Sequence, residues 1–170
     1  MYKCKPERSV LQARLIGVPG FVLSFAALIF GGSVPEYGSF VTLAGFVLLC
    51  VTLMLVLRYV MSEYEYSIDG ESFTVTRVMG KKRTDMCCIS LSTAIELYKK
   101  QDYAALPKAE KAITKYSLNQ NIKADSYVFL CEFNGRRTMV EFEPNEAFAG
   151  IMREQIAAAK KNADGENPEG

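Results

Sequence analysis

The densest basic cluster outside the apolar part of the chain is Lys81, Lys82 and Arg83, which follow Gly80. Lys and Arg side chains near a membrane surface are attracted to anionic lipid head groups by about 1 kcal/mol each. Arg58, at the end of the second apolar stretch, is a fourth candidate for such contact. The alternative interpretation of the cluster is a solvated hairpin loop without a ligand. The sequence therefore predicts either a membrane-surface contact at these four basic residues or an exposed turn.

Residues that support catalysis or metal binding are few. The chain contains no histidine, the commonest general base and metal ligand. Cys87 and Cys88 are adjacent, and successive strand side chains point to opposite faces, so both are predicted to be small buried core residues. Glu141 and Glu143 share one strand face, but no nucleophile or phosphate-binding glycine loop accompanies them. We therefore predict no enzyme activity, no cofactor and no bound metal.

Charge is unevenly distributed along the 170 residues. Residues 1–62 carry five Lys or Arg and two acidic side chains, whereas the remainder carries 15 basic and 17 acidic ones. This near-neutral second part is typical of an ordinary soluble domain, so no nucleic-acid partner is predicted. The cysteine count of five, odd and without paired spacing, favours a reducing compartment.

Two uncharged stretches, residues 15–35 and 37–57, are separated only by Glu36. A helix rises about 1.5 Å per residue and needs roughly 20 residues to cross the hydrocarbon core of a bilayer. Each stretch is long enough, and turn-forming residues around Pro35 favour an antiparallel pair. We therefore predict a transmembrane helical hairpin over residues 15–61, with the lipid bilayer as its first partner.

The basic residues also predict an orientation. Four precede the first stretch, Arg58 follows the second, and none lies in the connection near Glu36. Lys and Arg beside membrane helices are retained on the cytoplasmic side. We expect a multi-pass protein of the cell membrane with both termini cytoplasmic and residues 1–14 as a basic N-terminus. A cleaved signal peptide is the alternative for the first stretch.

Small residues recur along the first stretch at spacings of four, three and four, at Gly20, Ser24, Ala27 and Gly31. Such spacing places them on one helix face, where they allow two helices to approach closely in lipid. A pore would instead require polar or ionisable groups inside the membrane, and the stretches offer few. The pattern favours an anchoring hairpin over a conduit.

After Arg58 the apolar pattern changes to a period of two, which is typical of half-buried strands. Asn134-Gly135 between alternating runs is the strongest hairpin signal, because both residues tolerate positive φ. Residues 101–112 are predicted to be a loop with one helical turn. Seven strands are predicted, at about 64–69, 73–76, 86–91, 95–97, 114–118, 127–133 and 137–142.

A helix is predicted after Pro144, because apolar residues then recur at helical spacing. It should cover one end of the sheets. From residue 162 the sequence is polar and rich in Gly, Pro and Asn, so residues 162–170 are predicted to be a disordered tail. The apolar helix face comprises Phe148, Ile151, Met152, Ile156 and Ala159.

From residue 62 to 160 the chain resembles the bacterial pleckstrin-homology-like (PH-like) domains that follow paired transmembrane helices. The resemblance implies an α+β membrane protein in which residues 62–161 form an antiparallel β-sandwich or barrel with a C-terminal amphipathic helix. Phosphoinositide-binding members carry basic residues at the first hairpin, whereas this turn is Asp69-Gly70-Glu71, which argues against inositol-phosphate recognition. The resemblance rests on Tyr66-x-Ile68-Asp69-x-x-x-Phe73-x-Val75, Ile89-x-Leu91-x-x-x-Ile95 and Val140-x-Phe142-Glu143-Pro144.

Together these features predict a non-catalytic binding or scaffolding module at the cytoplasmic membrane surface. Its expected partner is another membrane or cytoplasmic protein, bound at a sheet edge or in the groove beside the C-terminal helix. A homo-oligomer and direct contact with anionic lipid head groups are further expectations. The alternative function is a regulatory or structural subunit of an oligomeric pore or transporter.

Overall fold

The computed structural model describes residues 1–122 and 125–165. The chain divides into two compact units. Arg8–Glu63 form a helical unit, and Met1–Glu7 join the part that begins at Tyr64 to form a β-rich unit. The chain therefore leaves the β-rich unit after Glu7 and re-enters it at Tyr64.

The helical unit contains two antiparallel helices. Helix α1 spans Val10–Phe30, a 3-10 turn follows at Gly31–Ser33, and α2 spans Gly38–Val56. A π-helical turn, Leu57–Met61, continues α2. The Arg8 guanidinium lies 3.1 Å from the Glu63 carboxylate, so an ion pair joins the two ends of the unit.

One apolar helix within the described residues, Gly38–Met61, has the length and composition to cross a membrane. The corresponding part of the first helix, Gly17–Ser33, is shorter. The prediction of two full-length spans is thus supported for the second helix and only weakly for the first.

The β-rich unit begins with a sheet of four antiparallel strands in the order β1-β2-β3-β4. Two-residue turns join β2 to β3 and β3 to β4, and each places a glycine at positive φ, Gly70 at 56° and Gly80 at 57°. These glycines permit tight turns that other residues adopt only with strain. The strands span Tyr2–Cys4 (β1), Glu63–Asp69 (β2), Ser72–Met79 (β3) and Lys82–Ser90 (β4).

Strand β1 is absent from the sequence prediction, which treats residues 1–14 as a basic N-terminus. It pairs with β2 in a register that places Tyr2 opposite Ile68 and Cys4 opposite Tyr66. Three residues are too few for an alternating pattern to be recognised. The described residues thus form eight strands, where the sequence predicts seven, and the helical unit is inserted between two paired strands.

The second sheet has the order β5-β7-β8-β6. Strands β7 and β8 form the predicted hairpin, with Asn134 at φ 52° and Gly135 at φ 69°, the signature of a type I′ turn. Strand β6 pairs with β8 in parallel, so the sheet is mixed, whereas an antiparallel one was predicted. The strands span Ala94–Lys99 (β5), Thr114–Ser117 (β6), Tyr127–Phe133 (β7) and Arg136–Phe142 (β8).

The main core lies between the two sheets and helix α4, Glu146–Gly165. Phe73 contacts Phe129 and Phe142 with ring centroids 5.5 and 5.0 Å away. The Asn145 side chain accepts a hydrogen bond from the Phe148 amide at 2.8 Å, which caps the first turn of α4. The predicted apolar face of α4 packs on this core: Phe148, Met152, Ile156 and Ala159 are buried, and Ile151 is half-buried.

Helix α4 extends to Gly165, so the start of the predicted tail, residues 162–165, is helical. Good helix formers such as Lys161 and Ala163 continue the helix past the point where apolar residues stop. The rest of that predicted tail, residues 166–170, lies outside the described residues.

A second, smaller core covers the outer face of the second sheet. The segment after β5 forms helix α3, Lys100–Ala105, whose Tyr103 packs on the far side of β7 and β8. The Tyr103 hydroxyl also accepts a hydrogen bond from the Ala112 amide at 2.8 Å. Both faces of the sheet are therefore buried in this region, where alternation predicts one solvated face. The cluster consists of Tyr103, Ala112, Val128, Leu130 and Met139.

A buried polar loop, Asn119 to Asn121, connects separate parts of the β-rich unit. Gln120 Oε1 accepts a hydrogen bond from the Tyr64 amide at 3.0 Å. Asn121 Nδ2 donates to the Glu7 carbonyl at 2.8 Å and to Glu143 Oε1 at 2.7 Å. The loop thus fixes the two points at which the chain leaves and re-enters this unit.

Candidate functional site

A groove lies between β5 and α4, at one edge of the second sheet. Strand β5 ends the sheet and, within residues 1–122 and 125–165, is hydrogen-bonded to a strand on one side only, to β7. The groove has a volume of about 290 Å³. Its lining residues are Ile95, Glu96 and Leu97 from β5 and Arg153, Ile156, Ala157 and Lys160 from α4.

The groove has an apolar floor and a charged rim. Leu97 and Ile156 are both buried and belong to the main core, so the floor is fixed. Arg153 and Lys160 are exposed on α4, opposite the exposed Glu96 of β5. Lys160 Nζ donates to the Ile95 carbonyl at 2.6 Å. A lysine therefore covers part of the free strand edge, a common means of blocking unwanted pairing.

A network of charged residues and a tyrosine lies where β5 ends and α4 begins. Lys99 Nζ lies 3.2 Å from Glu146 Oε1, and the Tyr127 hydroxyl donates to Glu146 Oε2 at 2.9 Å. The Tyr127 hydroxyl and Lys99 lower the pKa of Glu146. A cavity of about 310 Å³ adjoins these side chains. Because Glu146 is paired with both Lys99 and Tyr127, the network is suited to fixing the start of α4 against β7.

The predicted lipid-contact residues belong to two different units of the chain and differ in their partners. Lys81 and Lys82 are exposed at the turn between β3 and β4, as the sequence suggests. Arg83 Nη2 donates to Glu65 Oε2 at 2.8 Å. Arg58 belongs to the helical unit, and its guanidinium lies 5.3 Å from the Tyr59 ring centroid. Arg83 is thus already engaged in an ion pair, and the exposed turn presents two lysines.

Glu65 is the centre of a charge cluster that the sequence analysis does not identify. Its side chain is 7% exposed, and Lys3 and Lys5 lie 3.2 and 3.7 Å from its carboxylate oxygens. Burial acts to raise the pKa of Glu65, but Arg83 and Lys3 outweigh it, so the pKa is lowered and the carboxylate stays charged. The cluster holds β1 and β4 to β2. A glutamate between two tyrosines in an alternating strand gives no sequence signal of such burial.

The predicted helix-packing residues face α2, three of them from α1 and Gly31 from the start of the 3-10 turn. A Cβ atom on Gly20 would be 2.6 Å from Thr52 Oγ1, and one on Gly31 would be 2.6 Å from Thr42 Oγ1. Ala27 lies opposite Gly45, whose added Cβ would be 2.8 Å from the Ala27 Cβ. Ser24 is buried and donates to the Gly20 carbonyl at 2.6 Å. The helix backbones approach too closely at the glycines for a side chain to fit unmoved.

The cysteines are free among the described residues, but they differ in burial. Burial raises the pKa of Cys87 to about 11, and the same effect raises the pKa of Cys131 to about 11. Cys87 is half-buried against the main core and Cys88 is exposed, so the prediction that both adjacent cysteines are buried is wrong for Cys88 and only partly correct for Cys87. It lies on the outer strand face opposite Thr74, whose hydroxyl contacts its sulfur at 3.5 Å.

The two candidate carboxylates have different partners. Glu141 accepts hydrogen bonds from Lys100 Nζ at 2.7 Å and from Ser126 Oγ at 2.8 Å. Glu143 instead binds the side chain and backbone amides of Asn121. Each carboxylate thus has its own set of partners, and the two share none of these contacts. In residues 1–122 and 125–165, no three His, Cys, Asp or Glu side chains are grouped so that they could hold a metal ion.

Comparison with known proteins gives one match. Neither a curated protein nor a solved structure is detectably similar to this chain. The family model described as Bacterial PH-like domain (DUF6106) matches residues 5–161. This range includes the helical unit and nearly all of the β-rich unit, and PH-like domains typically serve as non-catalytic binding or scaffold modules. By the extent of this match and by its two sheets with a closing C-terminal helix, the chain belongs to the bacterial PH-like domain family.

Proposed function

We propose that this protein is a membrane-anchored PH-like module that binds an extended peptide segment of a partner protein between β5 and α4. The observation that carries the proposal is the free edge of β5 beside an apolar-floored groove. A strand edge offers unpaired backbone amides and carbonyls, and an added peptide strand satisfies them. The backbone bonds supply affinity, and the groove selects alternate side chains of the peptide.

The rim of the groove suggests which peptides bind. Arg153 and Lys160 provide two positive charges against the single negative charge of Glu96. A peptide with an acidic residue facing α4 is therefore favoured, because opposite charges across an interface improve selectivity and association rate. Lys160 must release the Ile95 carbonyl when the peptide strand pairs with β5.

Filling the groove is expected to weaken peptide binding. Ala157 is exposed and lines the groove, whereas its exposed neighbour Ala158 is not among the lining residues. Ala157→Tyr should weaken binding about tenfold or more, corresponding to about 1.4 kcal/mol, whereas Ala158→Tyr should leave it unchanged. Peptides are first selected from a random display library on the detergent-solubilised full chain, and their affinities are then measured by fluorescence polarisation.

Two outcomes would contradict the proposal that the groove binds the peptide. One is a library that enriches no peptide on the wild type relative to Ala157→Tyr. The other is an equal loss of affinity in Ala157→Tyr and Ala158→Tyr, which would indicate that the peptide binds elsewhere or that the helix is disturbed.

The connectivity supports a hairpin that crosses the membrane twice. Because β1 pairs with β2, both ends of the helical unit join the same β-rich unit, so a single crossing is incompatible with that pairing. The first apolar segment, Gly17–Ser33, which includes the 3-10 turn after α1, is at the lower limit of about 17 residues for a span. Basic residues at the base of the hairpin favour a cytoplasmic location for the β-rich unit.

Thiol labelling tests this topology. Ser33 is exposed in the connection, and Cys88 is exposed in the β-rich unit. In intact cells, a membrane-impermeant maleimide should label a Ser33→Cys variant above the wild-type level, and Cys88 should react only after permeabilisation. The control is a Cys88→Ser variant, which removes the second signal. Labelling of Cys88 in intact cells, with protection of Ser33→Cys, would overturn the proposed orientation.

The alternative of a pore or transporter subunit has less support. The hydroxyl groups of Ser24, Thr42 and Thr52 each donate to a carbonyl four residues earlier in their own helix. Such groups are already satisfied and are suited to packing in lipid, not to lining a polar path. These contacts favour the anchor.

A further inference from the structure

An apolar groove runs along the helical unit at the end where α1 begins and α2 ends. It has a volume of about 510 Å³ and carries one charged residue, Arg14. Its other lining residues are Gly17, Val18, Phe21 and Val22 from α1, Val56 from α2, and Val60 from the π-helical turn.

Gly17 creates space in this groove. A Cβ atom placed on it would meet Val56 Cγ2 at 3.8 Å, an ordinary contact distance, so the two helices are not in tight contact here. From Arg14 to Val22 the helix rises about 12 Å, at about 1.5 Å per residue. Because Arg14, Val18 and Val22 are four residues apart, they lie on one face of α1. The groove is therefore an open apolar channel with an arginine at one end.

Arg14 is the distinctive residue of the groove. It is exposed and, within residues 1–122 and 125–165, it has no ion pair, hydrogen bond or aromatic partner. The other arginines of the unit are engaged: Arg8 pairs with Glu63, and Arg58 lies over Tyr59. Arg14 is also the last charged residue before the uncharged stretch, where lipid head groups meet a membrane helix.

From this juxtaposition we infer that the groove is a binding site for an anionic phospholipid. The acyl chain occupies the valine- and phenylalanine-lined channel, and Arg14 binds the head-group phosphate. A guanidinium can donate two parallel hydrogen bonds to phosphate oxygens, which a zwitterionic lipid also offers, while the net negative charge of an anionic lipid adds long-range attraction. The inference rests on the proposed insertion of the hairpin in the membrane.

The test is lipid retention by the full chain in detergent, measured by native mass spectrometry. Equal amounts of phosphatidylglycerol and phosphatidylcholine are titrated onto the wild type and three variants. The wild type should retain phosphatidylglycerol about fivefold more than phosphatidylcholine, the ratio expected from roughly one favourable basic contact. Arg14→Gln should lose this preference, whereas the matched control Arg136→Gln, at an exposed arginine of β8, should keep it. Gly17→Leu, which fills the channel, should reduce retention of both lipids.

Three results would overturn the lipid site. They are equal retention of both lipids by the wild type, an unchanged preference in Arg14→Gln, or an increased monomer fraction without lipid loss in Gly17→Leu. The third would show that a second copy of the chain occupies the groove. Cell fractionation distinguishes failure of the lipid site from failure of the proposed membrane anchor. Recovery of the wild type in the soluble fraction would refute the membrane hairpin itself.

Discussion

Phe73→Ala is expected to destabilise the β-rich unit by about 3–5 kcal/mol, the usual cost of removing a buried aromatic ring. Phe73 is fully buried on β3 and contacts the rings of Phe129 and Phe142, which belong to the opposite sheet. Alanine at this position leaves a cavity between the two sheets, where β3 packs against β7 and β8. The loss is comparable to the total stability of a marginal domain, so much of the protein should unfold near physiological temperature.

Unfolding can be followed through the buried thiols of Cys4 and Cys131 in a Cys50→Ser, Cys88→Ser background, because the two exposed cysteines would otherwise react with a thiol-reactive fluorogenic dye before the core opens. The matched control is Phe133→Ala at the end of β7, since Phe133 is 51% exposed. Its unfolding free energy should change by less than about 0.5 kcal/mol. Equal shifts in the two variants would mean that Phe73 does not occupy a common core of both sheets.

Gly20→Leu is expected to separate the two helices of the hairpin. The added Cβ would lie 2.6 Å from Thr52 Oγ1 and 2.7 Å from Thr52 Cγ2, so the backbones must move apart. Overpacking of this kind typically costs about 1–3 kcal/mol. We expect the yield of an oxidative cross-link between Gly17→Cys and Val56→Cys, whose side chains face each other, to fall about fivefold or more in the Gly20→Leu background.

Gly32→Leu is the matched control for that experiment. An added Cβ on Gly32 has nothing within 4 Å, so a leucine there meets open space. The cross-link yield should equal that of the parent double-cysteine chain. A loss of cross-linking in Gly32→Leu as large as in Gly20→Leu would show that any bulky residue disturbs the hairpin and that the close approach at Gly20 is not specific.

Local patterns identify most of the elements of the β-rich unit. The dipeptide Asn134-Gly135 predicts the tight turn between β7 and β8, because both residues adopt positive φ readily. The apolar spacing of α4, from Phe148 to Ala159, matches one helix face, and that face packs on the core. Both signals depend on residues within a few positions of one another, so a single sequence is sufficient to detect them.

The features that the sequence analysis misses depend on contacts between distant residues. Val128, Leu130 and Met139 occupy strand positions that a one-sided sheet would leave in solvent, but α3 covers them. Glu65 is buried because Lys3 and Arg83 reach it from other strands. The groove residues Leu97 and Lys160 are more than 60 positions apart, and only the packing of α4 beside β5 brings them together. None of these neighbours can be identified from local periodicity.

The insertion of the helical unit between β1 and β2 has a consequence for the order of folding. Strand β1 is synthesised about 60 residues before its ladder partner, which lies beyond both helices, since Cys4 pairs with Tyr66. Closing so long a loop costs entropy that local hairpins avoid, so β1 is expected to pair after β2, β3 and β4 have formed. In the proposed membrane topology, completion of the first sheet would therefore require that β1 has stayed on the side of the membrane where the chain is synthesised. A chain inserted the wrong way would retain an open edge on β2, which quality-control proteases could recognise.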